Sequence, residues 1–311
     1  RYLFIDEIHK YENWSREIKE IYDLHRELHI VISGSSLLQI NDGHSDLSRR
    51  LTEYQMSGLS FREFMCMMTG VNIEPIELSS LLNSPNLFCQ EVKRHFHPLE
   101  YFHLYLKEGY YPFYFENKKM YHNVIENVIN YIVDNELTMF RGLEVGNSRR
   151  IKALLQVLSK MVPYEVDISK LSRTIGIQRP TTLKYLKNLE EAALIRRLFT
   201  KIDTITDLQK PDKILIDNSN ILYTLSDSNP EIGTVRETFF CNQLCAAGHI
   251  VEYGGLKTGD FRIDKEIVIE VGGSDKGLKQ IQNEEYGYVA ADDIDNAIFR
   301  KIPLWAFGFL Y

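Results

Sequence analysis

Arg1-Tyr2-Leu3-Phe4-Ile5-Asp6-Glu7-Ile8-His9-Lys10 opens the chain and decides the reading of its first part. Four apolar or aromatic residues run straight into an acidic pair. A continuous apolar run of this length predicts a strand buried on both faces, as in a parallel sheet. The carboxylates then fall at the strand's carboxyl end, where open α/β sheets place their ligands. Asp6 there can hold Mg²⁺, and Glu7 can orient a water molecule. The pattern continues with a helical period over Trp14, Ile18, Ile21, Tyr22 and Leu24. A second short buried strand, His29-Ile30-Val31-Ile32, then runs into Ser33-Gly34-Ser35-Ser36. Strand, helix and strand with brief loops make a parallel crossover unit.

Composition bounds what surrounds this unit. The chain has 311 residues, a net charge of −7, 44 % apolar and 25 % charged residues. That is the composition of a globular protein long enough for two or three domains. The negative balance and the absence of a long basic run argue against a dedicated nucleic-acid coat, though not against a local basic patch. No apolar stretch reaches the roughly 18 residues needed to cross a bilayer. Cys66, Cys89, Cys241 and Cys245 lack metal-type spacing, which suits reduced thiols in a cytoplasmic protein.

Further along, Glu53 to Met56 reads as a third strand, and Ser60 with Glu63 forms a capping box. Residues 71–145 read as a helical lid or connector, interrupted by the turn Gly109-Tyr110-Tyr111-Pro112. Three histidines, His95, His97 and His103, lie in this stretch without ligand spacing and read as packing or surface residues. Residues 146–205 read as three helices and a wing. Asp167 caps the second helix, Ile175-Gly176 ends it, and Arg179-Pro180-Thr181-Thr182 opens the third, a winged helix-turn-helix. Arg179, Thr181 and Lys184, with Thr182 and Lys187, are offered to a nucleic-acid groove, while Glu190 and Glu191 weaken the field at the far end of the helix. DNA contact and a purely structural or protein-binding role stand side by side.

Residues 206–311 read as an α/β domain. Val235 to Ala247 is helical. Ile250 to Tyr253, Phe261 to Ile263, Ile267 to Val271 and Leu304 to Phe307 are strand-like, with a helix over Lys276 to Gln282. Glu237 on the helix, Asp260 before a strand and Glu270 on the next strand would hold Mg²⁺ near a scissile phosphate.

At this point the chain resembles a known family. Phe4-Ile5-Asp6-Glu7-Ile8-His9-Lys10 resembles the Walker B segment of a group of prokaryotic AAA-type ATPases. Ser33-Gly34-Ser35-Ser36 looks like their sensor strand end. Asp46-Leu47-Ser48-Arg49-Arg50, followed by Leu59-Ser60-Phe61-Arg62-Glu63-Phe64, looks like their arginine segment and Leu-Ser-Phe-x-Glu-Phe signature. Gly109-Tyr110-Tyr111-Pro112 resembles a turn in the same proteins.

The resemblance implies the C-terminal half of an ATPase core in residues 1–70, a partial P-loop sheet. It also implies ATP and Mg²⁺ as cofactors and a conformational switch in an assembly of identical subunits. Asp6 would bind Mg²⁺, Glu7 would activate water, Ser35 would sense phosphate, and Arg50 would reach a neighbouring subunit's nucleotide. The Gly-rich phosphate loop is absent from these residues. The expectation is therefore a chain cut before its second nucleotide motif and inactive as it stands. The C-terminal part resembles a PD-(D/E)XK nuclease. Gly272 stands where that pattern has Lys, leaving Lys276 or Lys279 to supply the charge. A Mg²⁺-dependent nuclease and a decayed nuclease fold used for assembly are the two readings, and the missing Lys favours the second.

Overall fold

The computed structural model describes residues 1–8, 11, 13–34, 47, 50–137, 145–160, 166–200, 210–255 and 258–311. The first unit is small. β1 (Tyr2–Ile5) and β2 (His29–Ile32) pair in parallel, Tyr2 opposite His29 and Ile5 opposite Ile32, across α1 (Trp14–Leu24). Its core is Ile8, Trp14, Ile18 and Leu47, with Ile5, Ile30 and Ile32 against it.

Burial on both strand faces does not hold. Tyr2 and Phe4 are 71 % and 73 % exposed, and Val31 is exposed beside them. α1 covers one face of this two-stranded sheet, so every second side chain points outward. The expected strand over Glu53 to Met56 is also absent. That segment is irregular, with Tyr54 and Met56 exposed.

From Phe61 onward one core runs through the remaining elements to Leu310. α2 (Phe61–Thr69) starts at the expected capping box. The Ser60 hydroxyl accepts the Glu63 N–H at 3.1 Å, and the Glu63 carboxylate accepts the Ser60 N–H at 2.9 Å. Although the 1–70 segment was grouped with the ATPase half, Phe61 packs on Phe309 at the far end of the chain, ring centroids 5.8 Å apart.

The helical stretch comprises α3 (Leu78–Asn83), α4 (Pro85–Lys93), α5 (Pro98–Glu108) and α6 (Tyr121–Tyr131). It is followed by α7 (Ser148–Lys160), α8 (Ile168–Ile175) and α9 (Arg179–Glu191). The Asp167 carboxylate accepts the Lys170 N–H at 2.9 Å and caps α8, a bond that holds its pKa below the usual carboxylate value. Gly176 closes α8 at φ +68°, a left-handed turn that glycine adopts without a Cβ penalty. β3 (Ile195–Leu198) and β4 (Lys213–Ile216) pair antiparallel, with Ile195 opposite Ile216 and Leu198 opposite Lys213. This pairing spans residue 206, the boundary expected between two domains.

After α10 (Ser219–Leu225) and α11 (Ile232–Ala246), a five-stranded sheet closes the chain. β5 (Val251–Tyr253), β6 (Phe261–Ile263) and β7 (Ile267–Gly272) are antiparallel. β8 (Gly287–Ala291) and β9 (Lys301–Pro303) continue it in parallel. Two expectations fail here. Lys276 to Gln282 forms turns instead of a helix, and Leu304 to Phe309 is a 3₁₀ segment instead of a strand. Leu304 and Ala306 are buried together with Trp305 and Phe307, whereas the period-two alternation of a half-buried strand would turn one of these two sets outward.

The helices are tied together by Asn220 on α10. Its side-chain NH₂ donates to the carbonyls of Tyr105 (3.1 Å) and Leu106 (2.9 Å), while its carbonyl accepts the Tyr110 N–H (2.9 Å) and the Tyr121 hydroxyl. One buried amide thus satisfies the end of α5 and the turn after it. Asn220→Ala leaves several buried polar groups unpaired, each costing about 1–3 kcal/mol. The expected loss is about 3 kcal/mol or more, read as a lower midpoint in chemical denaturation.

Candidate functional site

Three clusters carry the residues singled out in the sequence. In the first, the chain leaves β1 into Asp6, and the Ser33 hydroxyl at the end of β2 donates to Asp6 Oδ1. The Glu7 N–H donates to the same oxygen at 3.0 Å. Main-chain bonds from Ser33 N to Ile5 O (2.9 Å) and Ile8 N to Ser33 O (3.0 Å) lock the two strand ends together. Glu7 adopts φ 54°, so the chain turns sharply between the two acids. Ser33 is thus the hydroxyl that meets Asp6, and parallel pairing of the strands brings it there. Ser35 lies outside the described residues. Arg50 makes a bidentate pair with Asp23 of its own α1, Nε to Oδ1 at 3.1 Å and Nη2 to Oδ2 at 3.2 Å. The sequence reading sent this arginine to a neighbouring subunit; here its guanidinium is engaged within the chain.

The second cluster is a cleft of about 620 Å³ between α7, α8 and the start of α9. It is lined by Arg150 from α7, Arg173 from α8 and Gln178, Thr181 and Lys184 at the start of α9, with no carboxylate among the lining residues. Arg150 and Lys184 have no ion-pair partner among the described residues. Arg179 is exposed just outside the cleft. The two acids set against this helix are already engaged. Glu190 takes the Arg197 guanidinium, Nε to Oε2 at 2.7 Å, and Glu191 lies 3.5 Å from Lys187. The sequence pointed to α9 but not to Arg150 and Arg173, which only the packing of three helices adds.

The third cluster holds Glu237, Asp260 and Glu270, and with them two lysines. Lys213 on β4 is 2 % exposed. Its ammonium lies 2.7 Å from Glu237 Oε2 on α11 and faces the rings of Phe261 (4.8 Å) and Tyr253 (5.5 Å). At this distance Lys213 and Glu237 form a buried ion pair. Glu270 on β7 is 1 % exposed, and its Oε1 lies 2.6 Å from the Lys276 ammonium. Asp260 Oδ2 accepts the Val271 N–H at 2.8 Å.

Gly272 makes the Lys276 contact possible. A Cβ at residue 272 would come within 2.8 Å of the Lys276 stem, which folds across it. Lys276 therefore reaches back to the strand acid, and the glycine in the expected lysine position is what admits it. Lys213 was missed. A lysine opening the apolar run Lys213-Ile214-Leu215-Ile216 was the available signal, because a buried lysine needs a partner.

Burial raises the Glu237 carboxyl from 4.5 to about 7; Asp260 adds to the rise, and Lys213 and Lys276 oppose it. Burial and Asp260 also raise Glu270. Burial pulls Lys276 down, but its bond to Glu270 outweighs this and holds it above its usual value. The three carboxylates do not close on one point. Among the described residues, the trio of His, Cys, Asp or Glu ligand atoms lying within 4.8 Å of one another is His103, Asp292 and Asp293. That trio already has a cation, since Arg236 Nε donates to Asp292 at 2.8 Å and Nη2 to Asp293 at 3.1 Å.

Several comparisons bear on these clusters. Residues 1–65 match the family described as AAA domain, and residues 99–231 match a domain of unknown function (DUF8612). The uncharacterized protein MJ1637 of Methanocaldococcus jannaschii is 24 % identical over 308 residues, covering 90 % of this chain. The chain spans 63 % of that relative's length. The Walker-type ATPase PABY2304 of Pyrococcus abyssi aligns with a TM-score of 0.39 and 15 % identity, over 72 % of this chain and 62 % of that one. No helix among the described residues is long and apolar enough to cross a membrane.

The raised carboxyl of Glu237 sets a pH dependence. In the unfolded chain it releases its proton near 4.5, and in the folded chain near 7. Between these values the folded state binds more protons, so this group's contribution to stability falls as pH rises through that window. Melting temperature measured across pH 4 to 8 should show that decline, and Glu237→Gln should flatten it.

Proposed function

We propose that residues 1–65 are part of an ATP-hydrolysing unit and that the winged helix couples it to DNA. The arrangement that carries the first half is the pairing of Asp6 with Ser33 across parallel strand ends, supported by the match of the same residues to an AAA domain. Both bonds to Asp6 fall on Oδ1, so Oδ2 is the oxygen that would hold Mg²⁺. Ser33 fixes the carboxylate's orientation. Glu7, turned out of line by its left-handed backbone, would accept a proton from the attacking water. Mg²⁺, when bound, would neutralise charge on the transferred phosphate. No Gly-x-x-x-x-Gly-Lys-Ser/Thr loop occurs in this sequence, and ATP turnover is proposed for a protein that carries one.

In a protein that includes that loop, Glu7→Gln should retain ATP binding but cut turnover by about 10²-fold or more. Phosphate release measured beside nucleotide affinity tests this. Unchanged turnover refutes the role of Glu7.

DNA as the partner rests on the cleft whose Arg150 and Lys184 have no ion-pair partner among the described residues, in a chain of net charge −7. A phosphate backbone is the ligand that such cations attract without a local acid to compete. Binding should be weak and salt-sensitive. The slope of log affinity against log salt should drop by about 0.9 for each phosphate contact removed in Arg150→Ala and Lys184→Ala. Fluorescence anisotropy with a labelled duplex measures it, and a slope unaltered in both variants places the contact elsewhere.

A further inference from the structure

The nuclease-like acid cluster was expected to hold Mg²⁺, and the residues do not fit one. Glu237 comes from α11, Asp260 from the loop before β6 and Glu270 from β7, yet their oxygens share no common point within ligand range. Each of the two glutamates instead meets an ammonium group, Lys213 at 2.7 Å and Lys276 at 2.6 Å. Asp260 spends one oxygen on the Val271 N–H.

We propose that Lys213 and Lys276 stand in for the divalent cation, turning the acid cluster into a metal-independent seam between the β3–β4 pair and the C-terminal sheet. Three observations converge on this. Lys213 arises from β4, outside the sheet that carries Asp260 and Glu270, so its ammonium joins two parts of the fold. Its ammonium lies over the rings of Phe261 and Tyr253, and the side chain is 2 % exposed. Lys276 is admitted only because residue 272 lacks a side chain.

The same seam is continued by the main chain, where the Tyr253 N–H of β5 donates to the Phe199 carbonyl just after β3 at 2.9 Å. Burying the Lys213 ammonium is costly unless its carboxylate partner is in place, and the partly exposed Lys276 ammonium serves Glu270 in the same way. A divalent ion entering here would have to displace a buried lysine and place added positive charge beside it.

The test uses Mn²⁺ alone as the probe and counts its sites by electron paramagnetic resonance on the chain as given. Wild type and Glu270→Gln should bind the same number of ions, because the intact cluster takes none. Lys213→Met should gain a site, and the added substitution Glu270→Gln should remove it again. A wild-type site that disappears in Glu270→Gln overturns the proposal, as does a folded Lys213→Met protein that gains none. Should Lys213→Met fail to fold, the wild-type and Glu270→Gln counts decide alone, since that replacement keeps the side chain's shape.

Discussion

The buried amide of Asn220 is the interaction on which the arrangement of helices depends. It offers two donors and an acceptor at the point where α5 ends and the chain turns through Gly109 to Pro112. A helix end buried without partners is expensive, because its last carbonyls have no intrahelical donor. Asn220 supplies those donors from α10, more than a hundred residues away. Asn242 and Gln243 on α11 extend the network to the Tyr110 and Tyr105 hydroxyls, at 3.2 and 3.1 Å. Burial pushes the Tyr110 hydroxyl up to about 12 and Tyr105 well above its usual value, so both remain neutral hydrogen-bonding groups. The helices α2 to α11, the β3–β4 pair and the C-terminal sheet consequently share one core.

The N-terminal unit stands apart from that core in its energetics. Among the described residues its own buried set is four residues, and its sheet has two strands with one face in solvent. Two strands and one helix bury little apolar surface, whereas the Asp6–Ser33 end is well fixed by main-chain bonds. The proposed chemistry therefore sits on the least buried part of the molecule. The charged seam at Lys213 and Glu237 sits within the most buried part, where a charge must find its partner or lose its proton.

Local chemistry was legible in the residues. The capping box at Ser60, the cap at Asp167, the turn at Gly176 and the strand over Lys213 to Ile216 each follow from side chains a few positions apart. So did the placement of Asp6 at a strand's carboxyl end and of Arg179, Thr181 and Lys184 at the start of a helix. What failed depended on distant partners. Tyr2 and Phe4 read as core, but only a covering layer could have made them so. Leu304 to Phe307 read as strand, yet aromatic rings from α2, α4 and α11 pack on a 3₁₀ segment over Leu304–Phe309.

Sequence by itself thus determined the element ends marked by Ser60, Asp167 and Gly176 and which residues carry charge, because capping and turn chemistry act over a few residues. Tertiary structure alone decided which charges meet. Ser33 found Asp6 across 27 positions, Arg50 found Asp23, and Lys213 found Glu237. An ion pair is set by distance in space and by the dielectric around it, and neither is written along the chain.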